Sequence, residues 1–428
     1  MKDIPYWIDT APAFPDRSSQ PLPGTVDVAI VGGGLTGLHA AIRLARKGAT
    51  VVVLERGRFG SGASGRNGGM CTTGLAIGPE AAMRRYGLAA ARAYHAAYQE
   101  AVDFVETFVR TEGIDCDFQR AGRLGVACTP SHHERQKSTQ KLLAEQFGHE
   151  TFLLGPSELR AELSSRYYHG ALLEPLSAGL HVGKYLRGLT DVAERSGAQL
   201  HENTKVTAVK RGSDRRYRVS ASRGSLSAGH VLLATDGYTD GTFPALQRRM
   251  VIVGSFIIVT ETLGEQPATA LIPQRRMVVD TKNVSHYYRL TPDNRLLFGG
   301  RARFALSNPN SDRKSAKILY RDMLMVFPQL AGTRIDYVWG GHVGITFDRM
   351  PHAGQMGGLY YSMGYSGHGV QMASLMGARM AEIIDGHPEA NPWRGLKARA
   401  FPTYSGTAWF LPLVGAYFHL KDRIGLGR

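Results

Sequence analysis

Hydrophobic positions near the start of the chain fall into two short apolar runs separated by a helical pattern. Residues 26–31 and 50–54 are rich in β-branched side chains, which predicts two buried strands. Between them, residues 38–47 carry apolar side chains at helical spacing, and Gly48 is the expected helix stop. The resulting strand–helix–strand unit is typical of the start of a parallel sheet.

The rest of the chain alternates between predicted helices and extended segments. Helices are predicted over residues 79–111, 131–147, 184–196 and 313–327, with a last helix at 367–385. Strands are predicted over 198–201, 204–210, 215–221, 230–234, Val251–Thr260, Met277–Asp280, His286–Leu290 and Arg295–Gly299. The last four strands alternate with a period of two, which predicts a separate domain built on an antiparallel sheet.

Composition adds a glycine excess and a shortage of cysteine. Glycine accounts for 51 of 428 residues without a collagen period, which favours tight turns and backbone lying close to a ligand. The three cysteines, Cys71, Cys116 and Cys128, are too few for a disulfide framework or a structural zinc site. We therefore expect no metal site and a reducing compartment.

The net charge of +15 permits several kinds of partner. Nucleic acid, an anionic membrane or an acidic substrate would each suit a basic protein. The basic residues form no block of five or six and no recognisable RNA-binding module, so we expect a solvated charge and no nucleic-acid partner. The first 24 residues lack the apolar core of a secretory leader, and we expect a cytoplasmic protein.

The junction of the first strand and helix carries a dinucleotide-binding motif. Gly32, Gly34 and Gly37 satisfy Gly-x-Gly-x-x-Gly, and Glu55 ends the following strand. The first glycine makes the turn, the second admits a pyrophosphate to the backbone, and the third lets helix and strand pack closely. The acidic residue then accepts hydrogen bonds from a ribose.

The residues after this unit favour a flavin over a nicotinamide cofactor. The chain contains one such motif, whereas an enzyme holding both FAD and NADPH in twin modules would need two. The segment 57–70 is rich in glycine and serine, so a flat three-ring system can lie against its backbone.

Four segments of the chain resemble the family of FAD-dependent amine and amino-acid oxidases. These segments are residues 27–55, 62–69 (GASGRNGG), 231–238 (VLLATDGY) and 364–370 (GYSGHGV). Within that family, the resemblance is to the branch that oxidises γ-glutamylputrescine. It is carried by 63–69, 114–118 (IDCDF), 287–300 (YYRLTPDNRLLFGG), 327–332 (FPQLAG), 349–351 (RMP) and 364–370.

The resemblance implies an α/β fold in which a Rossmann-type FAD-binding domain is interleaved with an antiparallel-sheet substrate domain. The expected segments are an N-terminal extension (1–24), FAD-binding parts (25–85, 161–243 and 329–390), substrate-domain parts (86–160 and 244–328), and a C-terminal tail packing on the FAD-binding domain (391–428).

The resemblance also implies the cofactor contacts. Gly32, Gly34, Leu35, Thr36, Gly37, Glu55 and Arg56 are expected at the pyrophosphate and adenosine, and Val206 at the adenine. Ser64, Arg66, Asn67, Gly68, Gly69, Met70, Thr235, Ser366, Gly367, His368, Gly369 and Val370 are expected along the flavin. Sarcosine oxidases attach FAD covalently through a cysteine in the C-terminal third of the chain. This chain has no cysteine after Cys128, so we expect the FAD to be non-covalent. Cys71 is the alternative attachment point, although a buried thiol is the simpler interpretation.

The expected reaction oxidises a C–N bond. A hydride passes from the amine α-carbon to flavin N5, and water then hydrolyses the imine, while the protein positions and desolvates the amine. Candidate pocket residues are His286, Tyr287, Tyr288, Arg289, Trp339 and His342. Aromatic walls can hold a cationic amine and an arginine can bind a substrate carboxylate, but at least one of the two tyrosines can equally be a core residue.

The substrate and the electron acceptor have two interpretations. The first is γ-glutamylputrescine or a related small-molecule amine, with O2 or another acceptor. The alternative is an amino acid or N-methyl amino acid, with electrons passed to a membrane carrier. The C-terminal tail, 401–428, is aromatic and basic, so it can contact a membrane surface or pack back on the protein.

Overall fold

The computed structural model describes residues 1–300, 306–401, 403–406 and 408–425. Its helices are α1 (Tyr6–Asp9), α2 (Leu35–Arg46), α3 (Ala63–Arg66), α4 (Pro79–Tyr86), α5 (Leu88–Thr111), α6 (Pro130–Phe147), α7 (Pro156–Glu162), α8 (Val182–Arg195), α9 (Pro244–Gln247), α10 (Glu265–Leu271), α11 (Pro309–Val326), α12 (Gly369–Ile384) and α13 (Leu411–Arg423). Its strands are β1 (Thr25–Val31), β2 (Val51–Leu54), β3 (Met70–Cys71), β4 (Arg123–Val126), β5 (Phe152–Leu154), β6 (Ala171–Glu174), β7 (Ala178–Gly179), β8 (Gln199–His201), β9 (Val206–Arg211), β10 (Tyr217–Ala221), β11 (Gly224–Leu233), β12 (Met250–Thr260), β13 (Met277–Asp280), β14 (His286–Leu290), β15 (Leu296–Gly300), β16 (Ile335–Thr346), β17 (His352–Met356) and β18 (Leu359–Met363).

The first sheet has the order β17-β18-β11-β1-β2-β8, with β10 also paired to β11 and β9 paired to β10. Strand β1 pairs in parallel with β2 and β11, and β2 pairs in parallel with β8. All four residues of β2 are buried, because one face packs with α2 and α8 and the other with β9 and β10. The predicted parallel α/β unit is therefore present.

The second sheet has the order β16-β12-β15-β14-β13-β4-β6-β5. Its pairs are antiparallel except for β13 with β4, which run in parallel. The prediction of an antiparallel sheet is thus right apart from this one pair. The exception arises where two stretches distant in the sequence meet, a pairing that local patterns do not indicate.

Strand pairing also moves two predicted domain boundaries. Strand β6 belongs to the second sheet, although the first substrate segment was expected to end at residue 160. Strand β16 belongs to the same sheet, beyond the expected end at residue 328. Helix α5 packs on α12 in the core that also contains α2, so part of the predicted substrate segment belongs to the core of the first sheet instead. Hydrophobic periodicity predicts a strand but not the partner that the strand chooses.

Two helices differ from the sequence-based expectation. The helix expected over 79–111 is divided into α4 and α5 because Gly87 adopts a φ of +79°, which interrupts a helix. Helix α13 was not predicted at all. Within the described part of the chain, no helix has the length and hydropathy that crossing a membrane requires.

The C-terminal tail crosses from one domain to the other. Trp393 is buried beside Tyr94 and Tyr98 in the core of the first domain. Leu411 then packs with Val251 and Val253 of β12. Asp422 accepts hydrogen bonds from the backbone of residues 283 and 284, at distances of 2.8 and 2.9 Å. The whole tail was expected to pack on the FAD-binding domain, but its second half packs on the second sheet.

Candidate active site

A cavity of about 780 Å³ lies between the two sheets. Its walls come from the N-terminus of α2, the glycine-rich segment after β2, the turns after β11 and β18, and the strands β4, β12, β13, β14 and β16. This volume is within the ~300–1,000 Å³ typical of small-molecule and cofactor sites.

The N-terminus of α2 opens into this cavity. Gly34 precedes the helix and has no side chain that could cap it. A side chain on Gly37 would place its Cβ 2.0 Å from the carbonyl oxygen of Gly32, and Gly32 itself has a φ of +109°. Gly32 therefore makes the predicted turn, and Gly37 permits the predicted close packing. Free N–H groups and the helix dipole make this point a site for a pyrophosphate.

Glu55 lies at the end of β2 and joins two loops of the site. Its Oε2 accepts the N–H of Gly33 at 2.8 Å, and its Oε1 accepts the N–H of Gly57 at 2.9 Å. Each carboxylate oxygen can accept a second hydrogen bond, so the residue remains able to bind a ribose hydroxyl.

The segment around α3 is held rigidly by its own side chains. The Arg66 guanidinium donates to the carbonyls of Ser61 and Gly340, both at 2.8 Å. The Asn67 side chain donates to the carbonyl of Ser64 and accepts the N–H of Gly69, also at 2.8 Å. A flat ligand therefore meets a backbone wall that is already ordered.

A second helix N-terminus faces the same cavity. Helix α12 begins after His368, whose side chain makes no cap hydrogen bond, and residues 366–370 line the wall. Tyr365 links the two helix starts because its hydroxyl lies 2.7 Å from Thr36 Oγ1. The positive end of a helix dipole stabilises the negative charge that a reduced flavin carries.

Most predicted cofactor residues lie in this wall. They are Gly32, Gly34, Leu35, Thr36, Glu55, Arg56, Ser64, Arg66, Asn67, Gly68, Met70, Val206, Thr235, Ser366, Gly367, His368, Gly369 and Val370. Gly37 and Gly69 lie behind it. Gly37 permits the close packing described above, and the carbonyl of Gly69 accepts a hydrogen bond from Arg289.

Of the predicted substrate residues, Tyr287 and His342 line the cavity. The Tyr287 ring lies against Gly299, since a Cβ on that glycine would be 2.4 Å from the ring. Its hydroxyl is 2.9 Å from Ser255 Oγ. The His342 ring stacks on Tyr238 with 4.9 Å between centroids. Burial, and then the positive charges of two nearby arginines, lower the pKa of His342, so its imidazole is neutral at pH 7.

Three other predicted residues occupy supporting positions away from the wall. The Tyr288 hydroxyl donates to Tyr168 at 3.1 Å, on the opposite face of β14 from Tyr287. Trp339 donates its Nε1 proton to the carbonyl of Arg66 at 2.9 Å. His286 lies between Asp280 and Asp322, 2.9 and 3.2 Å from their carboxylates. Although burial opposes the charged form, these two carboxylates raise the pKa of His286 to about 9.

Arg289 is also behind the wall. Its guanidinium is buried and donates to the carbonyls of Gly69 and Leu180. Those bonds direct the guanidinium to the backbone of the flavin segment, not to the interior of the cavity. The structure therefore places Arg289 as a support for the loop and does not bring it to the position expected for binding a substrate carboxylate.

Several residues that line the cavity were not predicted from the sequence. Asp236 accepts the N–H of Gly364 at 2.7 Å and so joins the turns after β11 and β18. The ring of Tyr238 stacks on that of His342. Both lie in the segment 231–238 that carried the family resemblance, which was a usable signal. Ser255 and Arg123 had no such signal, because their place in the wall depends on strand pairing.

This set of groups fits an FAD molecule. The α2 N-terminus suits the pyrophosphate, Glu55 a ribose hydroxyl, and the ordered backbone around Gly68 the flat ring system. No cysteine is among the described residues that line the cavity, and Cys71 is fully buried. Burial raises the pKa of the Cys71 thiol, which keeps it protonated and unreactive.

Comparison with known proteins agrees with this site. The family model of FAD-dependent oxidoreductases called DAO matches residues 27–383. Gamma-glutamylputrescine oxidoreductase of Escherichia coli (strain K12) is 35% identical over 412 residues, 94% of each chain. Glycine oxidase from Geobacillus kaustophilus superposes with a TM-score of 0.72 and 19% identity, covering 90% of this chain and 99% of the other. L-proline dehydrogenase from P. horikoshii gives a TM-score of 0.70 and 20% identity, covering 87% and 98%. The predicted fold is thereby confirmed.

Proposed function

We propose that this protein, which belongs to the DAO family of FAD-dependent oxidoreductases, oxidises γ-glutamylputrescine or a closely related amine. The C–N oxidoreductase class follows from the family. The choice of amine is supported by the 35% identity to the E. coli γ-glutamylputrescine oxidoreductase, which extends over 94% of both chains. The three free cysteines suit the cytoplasm, which we propose as its location.

FAD supplies the hydride acceptor for the carbon next to the amine nitrogen. The residues of this chain that would hold it are those of the α2 N-terminus, Glu55, the segment around Arg66 and Asn67, and the α12 N-terminus. We propose that the attachment is non-covalent, because the described wall offers no thiol.

The substrate side of the cavity has to receive an ammonium ion and deliver a neutral amine. Hydride leaves only from a carbon whose neighbouring nitrogen carries a free electron pair. His342 is neutral at pH 7 and lines the wall, so it places no positive charge against the arriving ammonium, and an unprotonated ring nitrogen can accept a hydrogen bond from it. Tyr287 offers a ring face that holds the amine while water is excluded.

The decisive experiment is anaerobic reduction of the purified protein. We expect a flavin absorption spectrum, release of the flavin into solution on acid precipitation, and rapid bleaching by γ-glutamylputrescine. Putrescine, glycine, sarcosine and proline serve as controls and are expected to bleach slowly or not at all. If one of these controls bleaches the flavin faster than γ-glutamylputrescine does, the proposed substrate is wrong. Flavin that stays with the precipitate contradicts the non-covalent attachment.

A second candidate, electron transfer to a membrane carrier, is favoured by one surface of α13. Leu413, Tyr417, Leu420 and Ile424 recur at helical spacing and are between 56% and 69% exposed. Trp409, just before the helix, is 71% exposed. An exposed apolar row with an aromatic end on a protein of net charge +15 suits the surface of an anionic bilayer.

This second candidate predicts both binding and a preference among acceptors. The holoprotein is expected to co-sediment with vesicles containing anionic lipid, and Leu413→Ser with Leu420→Ser to abolish co-sedimentation. Leu176→Ser is the matched control, because Leu176 is an exposed leucine far from α13 in the sequence. A quinone should then reoxidise the reduced flavin faster than air does. Fast reoxidation by air without vesicle binding leaves an oxidase as the function.

A further inference from the structure

Arg123 is the first residue of β4 and lies in the wall of the cavity. Gly125, two residues further and therefore on the same face of the strand, also lines the wall. Because Gly125 has no side chain, it presents only backbone to the cavity beside Arg123.

Arg123 has a buried donor group that the described residues leave without an acceptor. Its Nε is buried and unpartnered. The facing residue across the β4–β6 pair is Glu174, but that carboxylate already accepts hydrogen bonds from His149, Leu176 and Ser177. Burial lowers the pKa of Arg123, and the charge of Glu174 only partly opposes this effect.

Two other arginines near the cavity are satisfied by the protein itself. Arg66 donates to the carbonyls of Ser61 and Gly340, and Arg289 to those of Gly69 and Leu180. A buried Nε–H without an acceptor is costly, and a carboxylate that binds the guanidinium as a fork removes that cost. In contrast, the Nε–H of Arg123 in this wall remains available to a ligand.

The strand pairing gives the distance between Arg123 and Tyr287, which lies at the end of the cavity beside the flavin segment. Arg123 pairs with Met277 in β13, and Val279 of β13 pairs with Tyr287 in β14. Two strand spacings and a shift of two residues separate the Cα atoms of Arg123 and Tyr287 by about 12 Å. Tyr287 lies beside Gly68 of the flavin segment, since a Cβ on Gly68 would be 3.0 Å from its ring. Arg123 is therefore remote from the flavin-facing end.

We propose that Arg123 binds a substrate carboxylate that lies many bonds away from the carbon that is oxidised. This inference rests on the proposed function and narrows its substrate class to amines with a distal carboxylate. In extended γ-glutamylputrescine the carboxylate is roughly 10 Å from the carbon beside the primary amine, as chain dimensions require. In glycine the carboxylate is bonded to the oxidised carbon, so it could not reach Arg123 from the reacting position.

The test compares Arg123→Gln with the wild-type holoprotein on two substrates, γ-glutamylputrescine and its α-carboxamide. We expect kcat/KM for the carboxylate substrate to fall about 100-fold or more, mainly through KM, because a buried charged pair is lost. For the carboxamide we expect a change of less than about 3-fold, because no such pair exists. Arg110→Gln, at an exposed ion pair on α5, is the matched control. Equal losses on both substrates, or no loss on either, overturn the proposal.

A binding measurement keeps the result independent of turnover. Calorimetric titration of the oxidised holoprotein with hexanoate and hexanamide should show a preference for hexanoate of about 10-fold in the wild type and none in Arg123→Gln. If the wild type does not oxidise γ-glutamylputrescine, the proposed function fails, while this titration still decides the role of Arg123. Arg123→Lys, which keeps the charge but loses the fork, replaces Arg123→Gln if the latter retains no flavin and is expected to bind hexanoate with intermediate affinity.

Discussion

The two sides of the cavity are built in different ways. The cofactor side consists largely of backbone from short continuous segments, such as residues 32–37 and 62–70. The substrate side consists of side chains from strands that are far apart in the sequence, such as Arg123 in β4 and Tyr287 in β14. A local segment keeps its geometry when the rest of the protein changes, whereas the substrate side can change its ligand through single side chains. The four changes below separate these two behaviours.

The largest effect is expected on the cofactor side, from Gly34→Asp. A Cβ at this position would lie 2.8 Å from Ser64 Oγ, and the carboxylate would repel the pyrophosphate at the α2 N-terminus. We expect a folded protein that has no activity and binds no flavin. Flavin absorbance per amount of protein measures this loss of cofactor. Gly395→Asp is the control, since no atom lies within 4 Å of a Cβ there. A normal flavin content in Gly34→Asp would exclude this helix start as the pyrophosphate site.

The next effect is expected on the substrate side, from His286→Gln. The imidazolium of His286 joins β13 to α11 through Asp280 and Asp322. Since its pKa rises from about 6.5 to about 9 on folding, the ion contributes about 3 kcal/mol to the free energy of unfolding. That contribution is complete below about pH 6.5 and is lost as the pH rises through about 9.

Urea unfolding at several pH values measures this contribution. The wild type is expected to lose stability between pH 6.5 and 9, and the His286→Gln variant to lack that part of the pH dependence. His387→Gln, at an exposed pair with Glu389, is the control and is expected to leave the wild-type profile unchanged. Parallel profiles for the wild type and His286→Gln would show that this residue is not the charged group.

A smaller effect, confined to catalysis, is expected from Gly299→Ala. The added methyl group would lie 2.4 Å from the Tyr287 ring and would force the ring out of its position. We expect kcat/KM to fall by about 10-fold or more while the flavin content stays normal, because positioning is lost and the cofactor side is untouched. Gly24→Ala, where nothing lies within 4 Å of a Cβ, is the matched control. Loss of flavin from Gly299→Ala would mean that the two sides are not independent.

The smallest effect is expected from Trp339→Phe. This change removes one hydrogen bond, from Nε1 to the carbonyl of Arg66, and keeps an aromatic ring in the core. We expect a loss of about 1 kcal/mol in the free energy of unfolding and an unchanged KM, measured by urea unfolding and steady-state kinetics. A large rise in KM would instead place Trp339 in contact with the substrate.

The same difference explains what could be predicted from the sequence. The motif of Gly32, Gly34 and Gly37 is local, so its fold and its place in the cavity follow from a few consecutive residues. The bounds of β13 and β14 follow from the period of two and agree with the structure. The family resemblance predicts cofactor contacts for the residues around Asn67 and Gly367, which hydrophobic patterns alone do not identify.

The substrate side could not be predicted in this way. Alternation shows that one of Tyr287 and Tyr288 faces the cavity, but the choice depends on Gly299 in the neighbouring strand, which leaves room for the ring of Tyr287. Likewise, the sequence alone does not show whether Arg289 or Arg123 is available to bind a ligand. Their hydrogen bonds distinguish them, because the protein satisfies the first and not the second.

The hydrogen bond between Thr36 and Tyr365 also has a consequence for biosynthesis. The nucleotide-binding helix emerges from the ribosome early, but its partner turn, β18 and α12 are translated more than 300 residues later. The nascent protein therefore exposes an incomplete first sheet for most of its translation, and it can enclose the prosthetic group only when synthesis is nearly finished. Premature termination before residue 365 would leave a product that cannot mature, however intact its glycine motif.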